Sequence, residues 1–221
     1  MMIEENLNSI LKELPSDVKL VAVSKFHPFQ DILTAYQAGQ RRFGENRPQE
    51  FHLKALQLPQ DIEWHFIGHL QTNKLKLVLP FASLVESVDS RNLLDAIESW
   101  GAANGKVTNA LLELHLGAEE TKGGFTEDEI IGILDEYVRG AFPHVRFRGI
   151  MGMATHTDDE SVVDADFARI EAFKNDLDGR FQSLTGFTEL SIGMSHDWRI
   201  AVRHGATIVR IGTAIFGERT Y

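Results

Sequence analysis

Eight short β-rich runs alternate with segments of helical period along this 221-residue chain, and that alternation constrains the fold more than any other feature. The runs are KLVAVSKF, RRFGEN, IEWHFIGH, SLVESVD, VTNALLELHL, VRFRGIMGMAT, ELSIGM and ATIVRIG. Strands joined through helices run parallel with right-handed crossovers. Eight such units predict one closed (β/α)8 barrel, a TIM barrel, with residues 1–221 as a single domain. An open doubly wound sheet is the alternative topology.

The helical segments carry their own boundary signals. Ile3, Leu7, Ile10, Leu11 and Leu14 fall on one face of a first helix, which Pro15 stops. A helix over 28–38 is predicted with Pro28 in its first turn and Gly39 at its C-terminal cap. Further helices are predicted over 49–56, QTNKLKLVL, 92–100, 127–138, 163–180 and 195–204. Thr126 followed by Glu129 forms a capping-box pattern ahead of the 127–138 segment. The last strand lacks a long helix after it, so the N-terminal helix is expected to supply the missing outer element.

A formal net charge of −10 argues against a general nucleic-acid surface, although a local basic pocket remains compatible with it. The chain has 0 cysteines, which excludes disulfides, thiolate metal sites and a cysteine nucleophile. The start, MMIEENLNSILKELP, lacks the basic and apolar regions of a secretory signal. No apolar run approaches the roughly 20 residues of a membrane span. A cytoplasmic monomer without membrane or nucleic-acid partners is expected.

Barrel sites lie at the C-terminal ends of the strands. There, Val21, Val23 and Lys25 share one strand parity, so Lys25 points inward if Val23 does. An inward lysine must be neutralised, paired or joined to a carbonyl as an imine, whereas an exposed lysine just past the strand needs nothing. Arg210, between Val209 and Ile211, is always charged and requires acceptors. Those acceptors belong either to a ligand or to a barrel glutamate. Ser195 opens the segment after the seventh strand, and Gly212 and Thr213 follow Arg210. Small residues and a helix N-terminus at this place suit a phosphate, since the loops after strands seven and eight recurrently hold one. Lysine, arginine and phosphate cradle together suit pyridoxal 5'-phosphate (PLP). An arginine facing the ring nitrogen disfavours its protonation and weakens the ring as an electron sink.

At these residues the chain resembles the YggS/PROSC-like pyridoxal phosphate homeostasis protein family. The matching segments are VAVSKFHP, RRFGENRPQE, IEWHFIGHLQTNK, GIMGMATHTDD, LSIGMSHDWRIAV and TIVRIGTAIFGER, in order across nearly the whole chain. The resemblance implies the barrel of the alanine racemase N-terminal domain without a C-terminal β domain. It also implies PLP held as an imine (internal aldimine) on a lysine, no firmly established turnover, and a role in keeping free PLP in balance. By motif, Lys25 matches the imine lysine and Arg210 the arginine facing the pyridine nitrogen. Ser195, Gly212 and Thr213 match the phosphate cradle, Asn46 a polar residue near the cofactor, and Met194 a pocket-lining residue. Amino acids are possible further ligands. Arg47, Pro48, Glu113 and His115 depart from the family pattern.

Other candidates have simpler readings. His65, His69, His115 and His156 lie near strand ends but show no HExxH-type spacing, which leaves packing or hydrogen bonding. Lys74 is expected on an outer helix and Lys122 on a polar loop. Trp64, Trp100 and Trp198 are read as packing anchors. Ile130, Ile133, Leu134 and Val138 form a helix face expected to cover the barrel. A racemase is the competing class, but none of Tyr36, Tyr137 and Tyr221 sits in a motif for a second base.

Overall fold

A computed structural model describes residues 2–116 and 123–218. Lys122 and Tyr221 lie outside the described residues. The strands are β1 (Lys19–Val23), β2 (Arg42–Glu45), β3 (Glu63–Phe66), β4 (Ala82–Val88), β5 (Thr108–Glu113), β6 (Val145–Met151), β7 (Glu189–Ser191) and β8 (Ile208–Ile211). They pair in chain order into a closed barrel, all parallel. Closure is made by β1 on β8, with Lys19 opposite Ile208 and Ala22 opposite Ile211. The barrel expectation holds, and the open sheet does not.

Around it lie α1 (Met2–Glu13), α2 (Phe29–Gln37), α3 (Pro48–Gln57), α4 (Leu75–Val78), α5 (Arg91–Asn104), α6 (Glu127–Val138), α7 (Glu160–Arg180), α8 (Trp198–Arg203) and α9 (Thr213–Phe216). The Thr126–Glu129 capping box is present. Asn6 on α1 donates to the carbonyl of Ile215 on α9, so the first helix does complete the ring beside β8. Among the described residues no helix is long and apolar enough to cross a membrane.

Several boundaries differ from expectation, among them α7, which starts at Glu160 rather than 163, and α5, which runs to Asn104 rather than 100. Pro28 is the N-cap of α2 rather than a residue of its first turn. QTNKLKLVL forms a 3-10 turn, Thr72–Lys74, and then only the four residues of α4. Leu79 keeps helical angles and bonds back to the Leu75 carbonyl, but Pro80 after it has no N–H to continue the ladder. Ser195 does not begin α8, which starts at Trp198. Asp197 explains this, because its Oδ1 accepts from the Met194 N–H and its own N–H returns to the Met194 carbonyl. That closed turn occupies 194–197.

Strand parity divides the core into two parts. Leu20, Ala22, Phe43, Trp64, Phe66, Val85, Phe147, Ile150 and Val209 face the helices and merge with them into one apolar mass. Ile130, Ile133 and Leu134 join it as expected, whereas Val138 is exposed. Trp64 and Trp198 are buried in it and Trp100 packs against it. Val21, Leu84, Leu111, Met151 and Ile208 form a separate layer inside the barrel. In β6 the parity breaks. Ala110 pairs with Phe147 and Leu111 with Gly149, so Arg148 is skipped. Gly149 has φ 152°, and a Cβ there would stand 1.8 Å from the Glu189 carbonyl oxygen.

Candidate functional site

At the C-terminal mouth, a cavity of about 220 Å³ is lined by Val23, Lys25, Ile67, Met153, His156, Met194, Ser195, His196, Arg210, Gly212 and Thr213. Six of the seven residues singled out in the sequence therefore meet on one cavity wall. The parity argument holds, since Val21 lies in the inner layer while Val23 and Lys25 line the cavity. Asn46, the seventh, directly follows β2 and lies outside this lining. Its Oδ1 is buried without a hydrogen-bond partner among the described residues.

Arg210 is buried, and its charge is matched on several sides. Nη1 donates to the Ser191 carbonyl at 2.8 Å and to Ser191 Oγ at 2.5 Å, and Nη2 donates to the Gly152 carbonyl at 3.0 Å. Glu86 Oε2 lies 3.6 Å from Nη1. Arg210 thus has the barrel glutamate among its acceptors, as one of its two readings expected, and it also forms part of the cavity wall. Glu86 in turn accepts from Ser191 Oγ at 2.5 Å and from His65 Nδ1 at 2.5 Å. Burial alone pushes the Glu86 carboxyl up, but His65, Arg210 and Ser191 outweigh it and hold the group below its ordinary value. An ionised Glu86 can only accept, which assigns the proton of this contact to His65 Nδ1. The chain His65–Glu86–Ser191–Arg210 thereby fixes the guanidinium in one orientation.

Opposite Arg210, Gly212 N–H donates to Ser195 Oγ at 3.2 Å. A Cβ at Gly212 would stand 3.0 Å from the Val23 carbonyl oxygen and 3.2 Å from its Cβ. Glycine therefore lets the backbone after β8 run close against β1. The Ser195 hydroxyl and the backbone around Gly212 thus meet in this part of the cavity wall, whereas the N-terminus of α8, expected here from the sequence, lies three residues later at Trp198.

The segment carrying Lys25 is anchored from below by α3. Lys54 donates to Glu45 Oε1 at 2.7 Å and Glu50 Oε1 at 2.7 Å, and Ser24 Oγ also donates to Glu45. Burial pushes the Glu45 carboxyl up to about 7 even with Lys54 and Ser24 acting against it. Phe26 takes φ 68°, rare for a non-glycine residue, and Arg47 stacks on its ring at 4.3 Å. The departure at Arg47 thus has a structural use, and Pro48 occupies the first turn of α3.

A second cavity of about 530 Å³ adjoins the first through Ile67 and Met153. Glu113, Asp89 and His69 lie in its wall. Burial and the nearby Asp89 push the Glu113 carboxyl up to about 7. His69 Nδ1 meets Asp89 Oδ2 at 2.5 Å. Glu86, Ser191, Lys54 and Glu45 were not singled out in the sequence, and His65 was read there only as a packing or hydrogen-bonding residue. Their signal was a polar residue within an apolar strand or helix face, as Glu86 shows between Val85 and Val88.

Comparison with known proteins agrees with this geometry. The family described as alanine racemase, N-terminal domain, matches residues 2–220. A pyridoxal phosphate homeostasis protein of Aquifex aeolicus (strain VF5) is 40% identical over 204 residues, covering 92% of this chain and 88% of the relative. The structure of PipY of Synechococcus elongatus PCC7942, with PLP bound, superposes with a TM-score of 0.89 at 36% identity, covering 97% of this chain and 100% of that one. The alanine racemase of Corynebacterium glutamicum shares the fold at a TM-score of 0.78 and 18% identity, covering 98% of this chain and 61% of that one. The chain belongs to the alanine racemase N-terminal domain family and, within it, to the pyridoxal phosphate homeostasis proteins.

Proposed function

We propose that this chain binds PLP through Lys25 and serves PLP homeostasis, acting as one monomeric cytoplasmic unit and not as a turnover enzyme. The observation that carries the reading is the meeting of Lys25, Arg210, Ser195, Gly212 and Thr213 on one 220 Å³ cavity. This donor set fits the group. Lys25 brings an amine to an aldehyde, and Ser195, Gly212 and Thr213 bring small hydrogen-bonding groups to a phosphate. Arg210 brings a permanent positive charge, which disfavours protonation of a ring nitrogen facing it. Asn46, with its unpartnered Oδ1, is the polar neighbour proposed on the β2 side. Met194 covers one wall.

When bound, PLP supplies an aldehyde and an electron-withdrawing ring. The chain holds the phosphate, orients Lys25, and through Arg210 keeps the ring a poor electron sink. The names of the pyridoxal phosphate homeostasis relatives and the PLP in PipY support this reading. Borohydride reduction of the purified protein should trap a PLP adduct that Lys25→Ala lacks. Absence of any trappable adduct on the wild type would sink the proposal. Light scattering tests the monomer, and an amino-acid panel added to the loaded protein tests whether amino acids enter.

The competing reading is an amino-acid racemase, favoured by His156 and His196 in the same cavity wall as Lys25. Histidines there are groups able to carry a proton. Rapid exchange of an amino-acid α-proton into deuterated solvent would decide for it.

A further inference from the structure

The opposite, N-terminal mouth of the barrel holds a cavity of about 340 Å³, and its charge is unbalanced. Lys19, Arg42, Arg146 and Arg148 line it, against only Glu63 and Glu189. Both carboxylates are already engaged. Glu189 accepts from Lys19 at 2.5 Å and from Thr207 at 2.8 Å, and Glu63 pairs with Arg42 at 2.8 Å. Neither Arg146 nor Arg148 has a carboxylate partner among the described residues, so two guanidinium charges point into one cavity without neutralisation. This happens in a chain whose formal net charge is −10.

The arrangement comes from the fold, not from loose surface side chains. Arg146 and Arg148 share the inner parity of β6 because Val145 and Phe147 face the helices. Arg148 is also the residue skipped in the pairing of β5 with β6, and Gly186 leaves room for it, since a Cβ there would stand 3.0 Å from Nη1. Leu84 and Ile208 belong both to this cavity wall and to the apolar layer inside the barrel. That layer separates the lower cavity from the cofactor wall, so the two are distinct sites.

We propose that the N-terminal mouth is a binding site for a small oxyanion carrying two or more negative charges. Guanidinium groups match such anions with paired, charge-assisted hydrogen bonds. Two uncompensated guanidinium groups in one concavity supply the charge for it, and Lys19 and Arg42 add further donors at the rim. Monovalent anions gain less from the same excess charge, which makes the site selective by charge number.

Inorganic phosphate is the probe, titrated into the full-length protein at fixed ionic strength and followed by NMR of the arginine side-chain N–H groups. The proposal expects saturable shifts at Arg146 and Arg148. It expects the double variant Arg146→Gln/Arg148→Gln to weaken phosphate at this mouth by about tenfold or more. Glu63→Gln releases Arg42 and should strengthen binding severalfold. These opposed directions separate a site from general charge screening, and the Glu63 arm stands even where the double variant folds poorly. Shifts confined to residues near Ser195 and Gly212, or a Glu63→Gln protein with unchanged affinity at the lower mouth, overturn the proposal.

Discussion

Lys54 on α3 donates to the carbonyl oxygen of Ser24 at 2.8 Å, one residue ahead of Lys25. One residue after Lys25, the Phe26 N–H donates to Glu50 Oε1 at 2.7 Å. The two backbone groups flanking Lys25 are thus tied to a single turn of α3. The unusual φ of Phe26 is held by the same clasp.

Replacing Lys54 by Met should therefore do more than remove a surface charge. It leaves Glu45 fully buried with no cation, at a cost of about 3–5 kcal/mol at pH 8. At pH 5 the loss should shrink, because Glu45, already pushed up to about 7, then carries a proton. Denaturant unfolding at the two pH values checks this, and an equal loss at both would refute it.

Glu45 and Glu113 also set the pH dependence of the wild type. Each carboxyl rises from 4.5 to about 7 on folding, so the folded chain holds these protons more tightly. Their contribution is full below 4.5 and is lost as the pH climbs through about 7. Glu86 is shifted the other way, and its contribution is lost on acidification below the ordinary value. Thermal melts should peak at about pH 5 and decline toward pH 8. Glu113→Gln should flatten that decline, and an unchanged slope would remove Glu113 from the account.

Ser191→Ala should cost about 1–3 kcal/mol despite removing one small atom. Its hydroxyl both donates to Glu86 and accepts from Arg210 in a fully buried place. The companion measurement is the visible spectrum of the PLP-loaded variant. A reoriented Arg210 should alter it, whereas Ser99→Ala, on the exposed side of α5, should not.

Gly212→Val should weaken PLP retention by about tenfold or more while costing about 1–3 kcal/mol of stability, as overpacked sites do. The added atoms meet the Val23 backbone and the donor that reaches Ser195. Gly132 on α6 is the contrast, since a Cβ there meets nothing within 4 Å. Gly132→Ala should raise stability by about 0.5–1 kcal/mol and leave retention unchanged. Equal effects at the two glycines would contradict the close-approach argument.

Much of this was legible before the fold was known. The period of two placed Lys25 with Val21 and Val23, and the order of strands one and eight brought Lys25 beside Gly212. What sequence reasoning missed is of two kinds. The start of α8 was placed three residues early, because the Asp197–Met194 turn is a side-chain contact that helical periodicity does not register. The His65–Glu86–Ser191–Arg210 chain joins four strands, with Glu86 and Ser191 105 positions apart in sequence. No local pattern encodes that pairing. It follows only from barrel closure and from which residues of β3, β4, β7 and β8 turn inward. Lys54 was hidden for a related reason: on a helix it reads as solvated, and only packing over Glu45 buries it.

The extra residue in β6, Arg148, taken up beside the turn of backbone at Gly149, amounts to a phase slip. Below it the even-numbered side chains, Arg146 and Arg148, face the barrel axis, and above it the odd-numbered Met151 does. A strand in a single phase would have to choose. Keeping both guanidinium groups inside would draw Ile150 inward and send Met151 out among the helices, opening the layer that parts the two mouths. One glycine thus lets the same strand face be cationic at one end and apolar at the other.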